Sequence, residues 1–581
     1  MSYFKRKNAI GTLEMKGFEG IDRSSPIAAK KCEDMVNLRI LSDGSIVKRD
    51  GFREIYDFSG PIRGILSIPT NEGFMAYVAV ENYVYRYSSD TDVATRMLGT
   101  LSTKTGEASI FFFRGIVYIV DGVNIYEIKD GAVEISEGYV PLLGKDWGNN
   151  FPGEIYEPLN ILSSRARISY VVDDPPTTFL PTLYEVSKVD AIYLNGEPLT
   201  STQYTINSNF NTIDIKGLTP GDRIKAYVTF VRPESERQNL LSNTKGEVFG
   251  GINNSRLFLW GGKDKNRIYG SSLATDEGLA DARAWYKDVG ALYFPADNSF
   301  CVGDGKSEVT ALSRHYDRLL IFTSDDVWMA DSEIAFTNEI PILRINTDVG
   351  CSTVGGVAKC KNDPISIGRG RIFRWTSNTD TLEDCNAYSI SEPIEELLDE
   401  EFFESVRVYT DKHCGEVLFS YKQGNKRGVW VYGVENGQWY RYEGISADMF
   451  FDAGDSVGFV NGSKLSVFKK GSERDVSIRS VSSYIRAFCV FYPTDFGRPE
   501  RLKKIGEIFG VAELNGGVLK LTFANDSGIT NEVEFVGGDS DFLESFYKRY
   551  RTERFLRTKL KITFDSWFNQ RIYSLTVTAT P

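Results

Sequence analysis

The stretch EASIFFFRGIVYIVDGVNIYEIKDG, residues 107–131, decides how the rest of the chain is read. It sets an apolar strand, a turn of Asp, Asn, Ser and Gly, and then a strand rich in aromatics. The same unit returns in NNSRLFLWGGKDKNRIYGSS (253–272) and YDRLLIFTSDDVWMADSE (316–333). Weaker copies are GRIFRWTSNTDTLEDCNAYSIS (370–391), KRGVWVYGVENGQWYRYEG (426–444) and GFVNGSKLSVFKKG (458–471). A hairpin of this kind cannot bury both of its faces alone, so several must pack together. Spacings of roughly 40 to 60 residues match four-stranded propeller blades. The expected fold class is therefore all-β, a β-propeller with its first blades in 60–135 and its remaining blades in 234–472.

Between these two runs, residues 136–233 have a different texture. In VDAIYLNGEPLTSTQYTINSNFNTIDIKGLTPGDRIKAYVTF, Asn195-Gly196 turns one strand back on the next. Pro220-Gly221-Asp222 then precedes a strand whose Ile224, Ala226, Val228 and Phe230 share one face. This is a small β-module inserted into the propeller. After about residue 473 long strands return in SSYIRAFCVFYPTDFG, GGVLKLTFANDSG and RTKLKITFDSWFNQRIYSLTVTATP, which read as a C-terminal β-sandwich over 473–581. Residues 1–59 form an N-terminal arm. Its NLRILSDGSIVKRDGF (37–52) is a hairpin about Asp43-Gly44 that enters the propeller.

The chain has 581 residues, enough for two to four domains, with 37 Phe, 30 Tyr and 53 Gly spread along its length. Its net charge is −12, from 67 basic and 79 acidic residues. That balance argues against a protein that grips nucleic acid along a basic groove, though not against one that lets DNA pass. No apolar run reaches 18 residues, and the basic start MSYFKRKNAIGTLEMKG lacks a hydrophobic segment behind it. The expectation is a soluble protein made in a reducing cytoplasm.

Motifs for chemistry are scarce. The seven Cys include no C-x-x-C pair, and the two histidines, His315 and His413, sit in no metal spacing, so no metal, cofactor or disulfide framework is expected. GDGKS at 303–307 lacks the first Gly of a phosphate loop, and GRGR at 368–371 opens a strand, where a dinucleotide fingerprint opens a helix. No G-x-S-x-G elbow is present. The expectation is a non-enzyme with no catalytic residues.

Two charged stretches remain. SEPIEELLDEEFFE (391–404) reads as a helix capped by Ser391, with Pro393 in its first turn and Ile394, Leu397, Leu398 and Phe402 on one face. Its Glu395, Glu396, Asp399, Glu400 and Glu401 are either a solvated side or an acidic lining that faces a polyanion. YKRYRTERFLRTKLK (547–561) holds Lys548, Arg549, Arg551, Arg554, Arg557, Lys559 and Lys561 among aromatics. Alternation along a strand would set much of this charge on one side, a candidate subunit contact; contact with nucleic acid is the other reading.

The order of these pieces resembles the β-propeller tail proteins of tailed bacteriophages, the nozzle or tail tubular protein B family of head-to-tail connector components. The resemblance rests on GFEGIDRSSPIAAKKCEDMVNLRILSDGSIVKRDGFREI, on RLFLWGGKDKNRIYGSSL and GDGKSEVTALSRHYDRLLIFTSDDVWM, on GCSTVGGVAKCKNDPISIGRGRIFRW, and on the small module around YLNGEPLTSTQYTINSN. It implies a virion protein of the tail, assembled as a homo-oligomeric ring of six below the portal and adaptor. Such a ring would contact tail fibre proteins and pass double-stranded DNA during ejection. The alternatives from other classes are a receptor-binding tail-tip protein and a propeller glycan hydrolase with paired carboxylates.

Overall fold

The structure, a computed structural model, describes residues 11–24, 30–148, 154–249, 255–285, 292–303, 305–330, 342–377, 385–479, 481–538, 543–565, 567 and 569–581. Parts of the second, third and fourth copies (253–254, 331–333, 378–384), residue 304 of the GDGKS turn and residues 25–29 of the N-terminal phrase lie outside them.

The described residues fold as a β-propeller of seven four-stranded antiparallel blades. Five are separate sheets, over residues 62–96, 109–135, 245–301, 309–346 and 357–389. The sixth is built from residues 407–443 and the seventh from residues 449–468 together with Phe52–Asp57. The first strand of each blade is innermost, and at six of the seven junctions it packs beside the first strand of the neighbouring blade. Second strands such as Arg256–Trp260, buried at every position, are covered on both faces. That is why they read as continuous apolar runs instead of alternating ones.

The ring is closed by sequence-distant strands. Phe52–Asp57 pairs antiparallel with Lys464–Phe468 and so completes the blade that the chain leaves last. The hairpin that precedes it, expected at the propeller entrance, lies elsewhere. Leu38–Ile40 and Ile46–Lys48 form it, and Ile46–Lys48 pairs with the final strand, Arg571–Thr580, in a six-stranded sheet. Gly11–Lys16 lies on that same final strand. The second sheet of this C-terminal sandwich continues the sixth blade: Trp439–Glu443 is followed by Cys32–Val36, Ala487–Phe491, Thr558–Asp565, Val518–Asn525 and Thr530–Val536. Arg474–Val476 and Ser482–Tyr484 belong to the seventh blade, not to the sandwich. One hydrophobic cluster, including Met35, Trp439, Ile508 and Ile562, therefore runs from blade to sandwich without a break.

Buried charge fastens the closure. The Arg49 guanidinium donates two bonds to Asp475, at 2.9 and 2.7 Å, and one to Asn37 at 3.0 Å. Both partners of the ion pair are buried, across 426 residues of sequence.

Residues 142–230 are a module of a five-stranded and a three-stranded sheet inserted between the second and third blades. Asn195 and Gly196 both have positive φ, 53° and 91°, as the two-residue turn between Val186–Leu194 and Glu197–Pro198 requires. Ile224, Ala226, Val228 and Phe230 are buried together in the core of this module. No helix among the described residues is long and apolar enough to cross a membrane.

Candidate functional site

The expected acidic helix is broken. Glu392–Leu397 forms a 3-10 turn and Glu400–Ser405 a short α-helix, with Leu398 extended between them. Ser391 does not cap, because its hydroxyl accepts from the backbone N–H of Ile372. Asp399 caps instead, accepting from the N–H of Phe402 at 2.9 Å. The segment joins the outermost strand of the fifth blade to the innermost strand of the sixth. Its Ile394 and Phe402 are buried in the same cluster as Cys32 and Met35 of the N-terminal arm.

Glu395 pairs with Arg371 at 3.1 Å and Glu401 accepts from the N–H of Gly424 at 2.6 Å. Glu396, Asp399 and Glu400 are exposed. These acids are thus absent from the innermost strands around the propeller axis. One carboxyl that does lie there is Glu247, on Lys245–Phe249 of the third blade. Burial pushes its carboxyl up to about 7, against the opposing charge of Lys359 on the innermost strand of the fifth blade.

The basic stretch divides between two sheets. Lys548 and Arg549 lie on Glu544–Arg549, an edge strand of the six-stranded sheet, where Arg549 is paired with Glu507 at 3.3 Å. Arg551, Arg554 and Arg557 are exposed on the crossing segment that follows, beside exposed Tyr547 and Leu556. Lys559 and Lys561 lie on Thr558–Asp565, which is interior to the other sheet, so the single-face expectation fails for them. Lys559 pairs with Glu33 of the N-terminal arm, and Lys561 sits 4.3 Å from the centre of the Phe488 ring. The sheet interior uses both cations within the subunit, and five basic residues remain on the surface.

A cavity of about 420 Å³ opens where the sixth blade, the seventh blade and the N-terminal hairpin meet. Composition and motif spacing gave no hint of it. Its wall includes Arg39, Asp50, Asp411, Glu416, Tyr442 and Asp455. Glu416 is buried and accepts from Arg39 Nε at 2.7 Å, Tyr440 at 2.9 Å and Tyr442 at 3.1 Å. Asp50 accepts from the N–H of Gly471 at 2.8 Å, and Asp411 from the N–H groups of His413 and Cys414 at 2.8 and 3.1 Å. Glycoside hydrolysis needs one carboxyl that holds a proton and one that does not. Three of these four carboxylates accept from fixed donors, and among the described residues no hydrogen bond reaches the fourth, Asp455. Burial pushes the Cys414 thiol up to about 12, with Arg39 opposing, so it is no ready nucleophile.

Each histidine faces an aspartate. Buried His315 is 3.7 Å from Asp363, burial lowering its pKa, and His413 Nε2 is 3.6 Å from Asp452. Gly303 and Gly305 of the GDGKS turn both have positive φ.

No protein-family model and no curated protein matches the sequence. Solved structures similar to the chain include the β-propeller domain of Cps50 (Swd1) from Myceliophteria thermophila. It is 12% identical, with a TM-score of 0.30, over 71% of this chain and 96% of that one. The Dos1 propeller is 10% identical over 72% and 94%, with a TM-score of 0.33. An exo-β-1,3-galactanase from Phanerochaete chrysosporium is 10% identical over 70% and 99%, with a TM-score of 0.23. Likeness at this level concerns the fold and leaves activity open.

Proposed function

We propose that this chain is a structural, non-enzymatic component of a phage tail, which assembles as a homo-oligomeric ring, or nozzle, below the portal and adaptor. The observation that carries the reading is a division of charge. Residues 473–581 hold sixteen basic and fourteen acidic residues in a chain of net charge −12. Five of those basic residues are exposed on one edge strand and the segment after it. A closed ring uses a head-to-tail contact in which one patch meets a different patch of the next copy. A basic edge and an acidic remainder suit such a contact, and an edge strand offers unpaired backbone groups to it.

The acidic balance also suits a lumen through which double-stranded DNA slides, since like charge keeps the phosphate backbone from sticking. That lumen would be the space enclosed by the ring of subunits, because the axis of each propeller is hemmed by seven innermost strands. The sequence resemblance to phage tail nozzle proteins supports the same place in the virion, with the inserted module and the sandwich meeting neighbouring subunits or fibre proteins.

Substituting Arg549, Arg551, Arg554 and Arg557 together with Glu tests the contact. The reading expects loss of oligomer in analytical ultracentrifugation from a subunit that is still folded by circular dichroism. Oligomers that survive the fourfold reversal would refute the assigned surface.

The cavity, with its carboxylates, is what favours a glycan hydrolase as the second reading. Glycan cleavage abolished by Asp455→Asn, the wall carboxylate without a fixed donor described above, would replace the structural reading with that one.

A further inference from the structure

The turn DKHCGE, residues 411–416, places three metal-ligating groups together, two carboxylates and a thiol. An oxygen of Asp411, the Cys414 sulfur and an oxygen of Glu416 all lie within 4.8 Å of one another. The turn joins Arg407–Asp411 to Glu416–Gln423, and Asp411 stands directly opposite Glu416 in the strand register. Like charges so placed repel and destabilise a hairpin unless something offsets them. Both carboxylates are buried, and Arg39 offsets only that of Glu416. Among the described residues Asp411 makes no ion pair; the backbone N–H groups of His413 and Cys414 donate to one of its oxygens, and the Cys414 thiol hydrogen-bonds to its carboxylate.

Lone pairs are available. A carboxylate offers about four acceptor sites, and Glu416 uses three, for Arg39, Tyr440 and Tyr442. The group faces the cavity described above, which has room for water or a further ligand in an open coordination position.

We propose that Asp411, Cys414 and Glu416 form a binding site for a soft divalent cation, zinc being the ion whose chemistry fits. The sulfur is what selects the ion, because calcium and magnesium take oxygen ligands while a thiolate suits zinc. Zinc accepts three protein ligands with water in the fourth position. On binding, the Cys414 S–H bond breaks, its proton leaves to solvent, and the sulfur ligates as thiolate. The cation supplies the positive charge that the Asp411–Glu416 pair lacks, at a junction of the sixth blade, the seventh blade and the N-terminal hairpin. This inference is independent of the proposed role in the tail.

The test uses the full chain, stripped with a chelator and titrated with Co²⁺, whose thiolate charge-transfer band reports a Co–S bond. The expected result is one Co²⁺ per chain with that band, displaced by Zn²⁺ and untouched by excess Mg²⁺. Cys414→Ser should abolish the band. Asp411→Asn should weaken binding at least tenfold, while Cys301→Ser, an exposed cysteine elsewhere, should bind as the parent does. Circular dichroism of each variant separates loss of the site from loss of the fold. Absence of stoichiometric Co²⁺ binding, or a thiolate band that persists in folded Cys414→Ser, would overturn the proposal.

Discussion

At the residue scale, several positions that hold the ring together carry no sign of it in the sequence. Arg63, on the innermost strand of the first blade, is buried and donates to the carbonyls of Glu81, Thr103, Thr105 and Gly106, so that one guanidinium organises a whole loop. Local periodicity marks only a basic residue in an apolar strand. Replacing Arg63 with Met leaves those carbonyls unpaired, and the expected cost is on the order of 3 kcal/mol or more in chemical denaturation. Beside it, a Cβ on Gly64 would come 1.7 Å from the carbonyl oxygen of Ala108 in the second blade. Gly64→Ala should therefore lower the melting temperature, whereas Gly196→Ala, which meets nothing in space, pays only for its positive φ.

Glu247 gives a signed pH effect. Its folded carboxyl titrates near 7 and the ordinary value is 4.5, so between those values the folded chain binds more protons than the unfolded one. Its contribution is thus most favourable at low pH, and it is lost as pH rises through about 7, by at most about 3 kcal/mol. The difference in stability between the parent and Glu247→Gln, measured from pH 5 to pH 8, should widen in favour of Gln as pH rises. A difference that stays flat would show that Glu247 titrates as an ordinary carboxylate.

At the scale of elements, turn chemistry was the most legible feature. Asn195-Gly196 forms the predicted two-residue turn, and the alternation of Ile224, Ala226, Val228 and Phe230 points to the buried face that the strand presents. The acidic segment was legible as helical but not as broken. Ser391 looked like a cap because its type permits one, and the competing N–H of Ile372 comes from a strand 19 residues away. The basic stretch was read as a strand with one charged side. Phe555 pairs with Lys503, and Thr558 with Thr494, as the chain crosses from one sheet to the other, which no periodicity records.

The closing strand itself invites a test. Glu54 pairs with Ser466 in register, and its carboxylate accepts from Lys464 at 2.9 Å. Glu54→Pro removes that ion pair and a backbone donor inside a strand with neighbours on both sides. The expected outcome is earlier proteolysis at the seventh blade and a loss of stability on the order of 3 kcal/mol. Cleavage no faster than in the parent would mean that the ring does not depend on this strand.

At the scale of the whole molecule, the sequence revealed repeated strands and two interruptions, and it left open the number of blades and what joins the two ends. Pairing between Phe52–Asp57 and Lys464–Phe468, or between Ile46–Lys48 and Arg571–Thr580, spans most of the chain. Such contacts are set by the closing of a ring and not by any local pattern. Cys32–Val36, paired with both Trp439–Glu443 and Ala487–Phe491, makes the sixth blade and one sheet of the sandwich continuous, so the surface that carries Arg549, Arg551, Arg554 and Arg557 has a fixed position relative to the propeller. Fixed geometry of that kind is what a closed assembly of identical copies requires. Whether the copies close into a ring is decided by electron microscopy of the assembled protein or of the particle that contains it. The expected image is a closed ring of copies around an axial channel, on the tail axis below the portal. Copies at the periphery of the tail, or with no shared axis, would contradict it.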